Sequence, residues 1–222
     1  MPGKWEPIMT DIHSYDPRAG HRLRHDPLNA IVAPRPIGWI SSVSPAGVCN
    51  LAPYSFFNVF NYAPPVIGFS SEGWKDTVEN VTRTGEFVWS LVTESLAEKM
   101  NRTSARVSSD VDEFDFAGLT RRAAHRVRPM LVAESPVNFE CKLTQVLQLA
   151  AVDGSPIDSW LVLGEVVMIH IDVALVSNGI YDTVAGAPVL RGGGPSDYFR
   201  VSEETLFKMD RPPGADRIER RY

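Results

Sequence analysis

Cysteine is almost missing from this chain. Cys49 and Cys141 are the only two, they lie far apart, and neither belongs to a C-x-x-C pair. That spacing offers no disulfide framework and no metal-ligand pattern, so no metal site is expected. His21 and His25 have i, i+4 spacing, but Asp26-Pro27 ends any helix there and no third ligand accompanies them. Positive charge is thin as well. The net charge is −5, and the arginines of 121–128 and 217–221 form only short clusters, which read as solvated faces. A nucleic-acid partner is therefore not expected. Long apolar runs are lacking too: the most apolar stretch, WLVLGEVVMIHIDVALV, is interrupted by Glu165, His170 and Asp172. Such charges do not sit cheaply in a spanning helix. The opening MPGKWEPIMTDIHSYD has no apolar core of signal-peptide length. These absences predict a cytoplasmic protein with no membrane partner. Three nucleotide and nucleophile signatures are missing as well, namely G-x-G-x-x-G, the P-loop and G-x-S-x-G. Arg191-Gly192-Gly193-Gly194 lacks the strand–loop–helix context and the Lys of a phosphate loop.

What the chain does have is strand. With 222 residues, 44% of them hydrophobic, it can build one globular domain with a full core, or at most two small ones. Residues 37–43, 55–60, 66–70 and 87–92 read as short strands. Val137, Phe139, Cys141 and Leu143 alternate with Asn138, Glu140, Lys142 and Thr144, which predicts one buried and one wetter face. Residues 160–176 read as a long strand, bent near Gly164. Many short strands punctuated by Pro and Gly imply a barrel or sandwich, and no β-α-β alternation points to a doubly wound sheet. Helices are few. Asp76 with Glu79 predicts a capped helix start that Gly85 stops, Ser95 with Glu98 predicts another, and residues 112–117 predict a short turn ended by Gly118. The first 25 or so residues and the tail from Met209 read as irregular.

Chemistry gathers in few places. Lys75-Asp76-Thr77, preceded by Ser70 and Ser71, joins a cation and hydroxyls to the free N–H groups of a helix start, the components of an anion site. Asp76 reads as the N-cap. The plain alternative is an ordinary helix cap beside an exposed lysine. Arg35, held extended between two prolines, can reach a phosphate or pair with an acidic surface. Trp39 and Trp74 can flank a ring or fill the core. His170 and Asp172, two apart on one strand face, can form a proton-donating pair or simply satisfy each other.

The order and residues of PRPIGWISSVSPAGVCNLAPYSFFNVFNYAPPVIGFSSEGWKDT resemble the flavin reductase-like family. The resemblance continues through GEFVWSLV, MNRTSA, DEFDFAGL, ESPVNFEC, GEVVMIHID and RGGGPSDY. It implies a mainly β FMN-binding split β-barrel with a few short helices over 29–208, between an irregular arm, 1–28, and a tail, 209–222. It implies cofactor contacts from Ser41, Ser42 and Val43 at a strand end, where backbone groups can meet a flavin ring edge. Asn50, Leu51, Ala52, Tyr54 and Ser55 would add ribityl and ring contacts. Ser70, Ser71, Lys75, Asp76 and Thr77 would hold the phosphate. Arg191 and Tyr198 fall on the substrate side, near the flavin and a subunit boundary, and His170 falls in a catalytic, substrate-facing role.

The activity implied is FMN-mediated oxidoreduction, a flavin reductase drawing on NADH or NADPH as a transient co-substrate. Electrons would pass to free flavin or a small organic acceptor, with a partner oxygenase as one destination, and the protein would be a homodimer. The alternatives are an electron carrier of the flavoredoxin kind, reduced by a partner protein, and a non-catalytic flavin-binding barrel. One departure stands out: the family commonly carries Asn in the strand after Gly-Glu-Phe, where this chain has Trp89-Ser90.

Overall fold

A computed structural model of the chain describes residues 11–212. The opening MPGKWEPIMT and the 217–221 arginine cluster lie outside the described residues. One seven-stranded antiparallel sheet dominates. In chain order its strands are β1 (Gly38–Val43), β2 (Cys49–Tyr54), β3 (Phe57–Asn61), β4 (Val66–Glu72) and β5 (Glu86–Ser90). Two dipeptide strands follow, β6 (Arg121–Arg122) and β7 (Leu131–Val132), then the long hairpin β8 (Val137–Ala150) and β9 (Pro156–Ile171). Two small hairpins follow: β10 (Val176–Ser177) with β11 (Ile180–Tyr181), and β12 (Val189–Arg191) with β13 (Tyr198–Arg200). The helices are α1 (Leu28–Ile31), α2 (Asp76–Thr84), α3 (Ala97–Arg102) and α4 (Glu113–Ala117).

The sheet order is β2-β1-β5-β8-β9-β4-β3. Its two outermost strands, β2 and β3, are consecutive in sequence and joined only by Ser55 and Phe56. Three peptide steps span at most about 11 Å, so the two edges must come close and the sheet must curl. This is the split barrel.

β1 explains why the core has two layers. All six of its residues are buried, and alternation sends Trp39 and Ile40 to opposite faces. Ile40 joins Ile67, Phe69, Phe87, Cys141 and Val162 inside the curl, which α2 closes with Val78 and Val81. Trp39 joins Leu51, Met100, Phe114, Leu119 and Val132 in a second cluster under α3 and α4. Trp39 is thus core and not a ring flank at the surface.

Several local expectations hold. Gly85 stops α2 in the left-handed region at φ 73°, and Gly118 stops α4, whose N-cap Asp112 accepts the Phe114 N–H. Opposite Gly164 it is the partner strand that is irregular: β8 carries a bulge at Thr144, between the Leu143–Gly164 and Gln145–Leu163 pairs. The glycine is required there because a Cβ would run into the Phe87 ring. Residues 11–25 hold only turns and bends.

Other expectations fail for physical reasons. Residues 49–54, outside the expected strands, form β2, an edge strand that tolerates Pro53. The N-cap of α2 is Lys75, without a side-chain cap, and Asp76 is already helical. The Ser95 start is instead a 3-10 turn over Glu94–Leu96 capped at Thr93. Asn138 and Glu140, assigned to a wetter face, are fully buried, because the segment through β6 and β7 covers them. No helix of the described residues is long and apolar enough to cross a membrane.

Candidate functional site

A cleft of about 620 Å³ opens where β2, the start of α2 and the segment after α3 meet. β2 supplies Asn50, Ala52 and Tyr54, and the helix start supplies Lys75, Asp76 and Thr77, with Trp74 beside them. Residues 103–107 and Glu113 complete the lining.

The polar side chains are locked to one another. Asn50 Nδ2 donates to Thr77 Oγ1 at 2.9 Å and to Ser42 Oγ at 3.3 Å, and Asn80 Nδ2 also reaches Ser42 Oγ at 3.4 Å. One network therefore ties β1, β2 and α2 together around the opening. Tyr54 is buried among these groups; burial pushes its phenol up to about 12, although hydrogen bonds with Thr77 and Ser71 pull the other way. The far wall is pinned by Trp39, whose indole N–H donates to Thr103 Oγ1 at 3.0 Å, while that hydroxyl donates to Met100 O.

Burial is also the main reason the Glu113 carboxyl lies above its ordinary range, with Asp112 and Asp76 pushing the same way. The Leu51 N–H, donating to Glu113 Oε2 at 3.0 Å, opposes them. The helix start faces the cleft with first-turn N–H groups that no side chain caps, the arrangement that favours an anion. Lys75 and Arg106 add positive charge, and the ion pairs among the described residues involve neither of them. Asp76 and Glu113 are the acidic groups beside them. Ala52, Pro53, Ala105 and Val107 add apolar surface to the same cleft.

The structure thus brings together Asn50, Ala52, Tyr54, Lys75, Asp76 and Thr77. Ser42 reaches the cleft through Asn50, and Leu51 contributes a backbone N–H to Glu113 while its side chain fills the core. Ser41 is fully buried, and its hydroxyl is left without a partner. Val43 is buried, Ser70 is half-buried, and Ser71 Oγ donates to Gly73 O. Ser55 O accepts from Arg35 Nε. Beside the cleft, a hollow of about 440 Å³ shares Asn50 and Asp76 and runs along Asn80 and Arg83 to the β1–β2 turn.

Arg35 and Arg191 do other work. Arg35 donates to the carbonyls of Asn29, Val32, Ser55 and Gly192, and no ion pair among the described residues involves it. Arg191 donates to Asp197 O and Pro195 O and lies 5.1 Å over the Tyr198 ring, which holds the β12–β13 hairpin closed. Neither Arg191 nor Tyr198 lines the cleft. His170 does not pair with Asp172. Its Nε2 lies 2.6 Å from Glu140 Oε1, and Asp172 caps the next turn through the Ala174 N–H. His170 borders a separate hollow of about 460 Å³ with Arg122, Ser135 and Pro136. Trp89, the departure from the family pattern, stacks on Phe57 at 5.5 Å and donates to Ile37 O.

Sequence reasoning did not single out Arg106 or Glu113 as cleft residues. The only signal was the polar break after MNRTSA and the helix start at DEFDF, neither of which announces a wall.

Comparison with known proteins agrees with this fold. The flavin reductase like domain model matches residues 32–185, and the chain belongs to that family. An uncharacterized protein of Halalkalibacterium halodurans is 37% identical over 186 residues, 82% of this chain and 87% of its own. Among solved structures, nitrilotriacetate monooxygenase component B from Bacillus cereus superposes with a TM-score of 0.81 at 29% identity, covering 90% of this chain and all of the other. A split-barrel-domain protein from Shewanella frigidimarina gives 0.71 at 27% identity, over 84% of this chain and 89% of its own.

Proposed function

We propose that this chain is an FMN-dependent oxidoreductase that takes electrons from NADH or NADPH and passes them to free flavin or a small organic acceptor. The observation that carries the reading is the meeting of Lys75, Thr77, Asn50 and Tyr54 at one cleft, over an uncapped helix start. Lys75 and the first-turn N–H groups of α2 would hold the phosphate. Asn50 and Thr77, already oriented by each other, would meet the ribityl hydroxyls. Ala52, Pro53 and the 103–107 segment would bound the ring. FMN, when bound, supplies the hydride and electron chemistry. The protein's part is to orient the ring, keep water from one face and leave the other open, since the chain carries no dinucleotide fingerprint to retain a nicotinamide.

A separate oxygenase is a natural acceptor system, given the likeness to a monooxygenase component. A homodimer suits the sheet edge: β3 is an outer strand with Val59 and Phe60 more than half exposed, and uncovered apolar edges favour a second copy. His170 stands outside this cofactor set.

The test is binding of FMN and riboflavin to the wild type and to Lys75→Ala. Only FMN carries the phosphate dianion. A charge-assisted contact is worth about 1.5–3 kcal/mol, and Lys75 is exposed, so the low end applies: about tenfold weaker FMN with riboflavin unchanged. Equal losses would move Lys75 away from the phosphate, and no flavin binding at all would end the proposal. Anaerobic addition of NADH and NADPH to the FMN-loaded protein, with light scattering of the same sample, reads the donor and the dimer.

A further inference from the structure

We propose that His125, Glu140 and His170 form a binding site for one divalent transition-metal ion, separate from the cleft. One ligand atom from each lies within 4.8 Å of the other two. They come from positions with no spacing motif: β8, β9 and the covering segment between β6 and β7. His2Glu is a recognised donor set for zinc and its neighbours, with the fourth position left to water.

The details favour a site over a chance cluster. Glu140 is fully buried, and its only ion-pair partner among the described residues is His170. Three groups converge on its carboxylate: the His125 N–H, the Arg126 N–H and the His170 ring. With two backbone N–H groups donating to it, the carboxylate is an acceptor, and the His170 ring faces it through Nε2. A metal would bind at Nε2, the ligating imidazole being the neutral tautomer protonated on Nδ1.

Ligand atoms on a tetrahedral zinc are about 3.4 Å apart at bond lengths near 2.1 Å. The 2.6 Å Nε2–Oε1 separation would have to open slightly, and His125 would have to close in. His125 can do so, because its side chain is exposed while its backbone is anchored: its own N–H donates to Glu140 Oε1 at 2.8 Å, and the Arg126 N–H donates to Oε2 at 2.6 Å. Those bonds deliver the His125 ring over His170, with centroids 4.9 Å apart and planes nearly perpendicular. Oε2 keeps an uncommitted lone pair. The adjoining hollow gives the ion a path in from solvent.

If Glu140 served only to anchor the loop and satisfy His170, the His125 side chain would have no part in it. That separates the two readings. The full-length protein is stripped with a chelator and titrated with Co2+, read by its visible d–d band, and with Zn2+ by calorimetry. One saturable ion per chain is expected, weakened at least about tenfold in His125→Ala, with FMN uptake unchanged. His125→Ala is the informative variant because an exposed side chain can be removed without unfolding the chain. No saturable binding at micromolar cobalt, unaltered binding in His125→Ala, or loss of the ion in His21→Ala instead would overturn the assignment.

Discussion

Glu140→Gln isolates a buried charge whose whole environment is visible. Three donors converge on the carboxylate: the backbone N–H groups of His125 and Arg126 and the ring N–H of His170. Glutamine keeps one acceptor oxygen, which can still receive His125 and His170, as neutral bonds in place of charge-assisted ones. Its amide N–H2 then faces the Arg126 N–H, donor against donor. Losing one charge-assisted bond removes about 1.5–3 kcal/mol, and weakening the other two adds to it. A total near 3 kcal/mol is expected, a large fraction of the 5–15 kcal/mol typical of a domain.

The pH dependence follows from the direction of the shift. The folded pKa of Glu140 lies below the ordinary 4.5, so its contribution is fully present above that value and disappears as pH falls through the folded pKa. Urea unfolding of the metal-free, flavin-free protein, compared at equal m, should show a deficit near 3 kcal/mol at pH 7 that narrows as pH drops below about 4.5. A deficit under about 0.5 kcal/mol at neutral pH would refute the reasoning. So would one that widens on acidification, since the wild type would then be gaining stability from a proton it is meant to exclude.

Two further outcomes test the fold around the cleft. Gly164→Ala places a Cβ against the Phe87 ring and 3.1 Å from Lys142 O; a loss of about 1–3 kcal/mol is expected from overpacking, partly restored by adding Phe87→Leu, and a neutral result would show that the strand can shift. Tyr54→Phe removes a buried hydroxyl bonded with Thr77 and Ser71. It should lower stability by about 1 kcal/mol, and the wild type's tyrosine ionisation near pH 12 should vanish from an ultraviolet titration; an unchanged titration would place the perturbed phenol elsewhere.

Local chemistry was legible in the sequence, and layering was not. The stop at Gly85 and the Asp112–Gly118 helix were readable because each depends on a residue's own backbone freedom or on one short-range cap. Glu140 was misassigned because alternation along β8 reports two faces without saying what lies over the second one. That information resides in residues 121–136, which carry no periodic pattern. β2 was hidden by Pro53, which argues against a central strand but is harmless on an edge, and edge position is a property of the whole sheet.

The same limit explains the two sites. Lys75-Asp76-Thr77 is a contiguous helix start, so its cation, hydroxyl and free N–H groups could be read together before any neighbour was known. Asn50 and Tyr54 join it because β1 and β2 form a tight hairpin beside α2. His125, Glu140 and His170 are separated by 15 and 30 residues and are united only by a backbone bond from a covering loop to a buried carboxylate. The i, i+4 pair His21 and His25 had the more conspicuous spacing, yet it belongs to no cluster among the described residues. Spacing finds ligands when one helix or turn presents them. When a sheet and its cover present them together, the informative feature is the buried acid that holds the cover down.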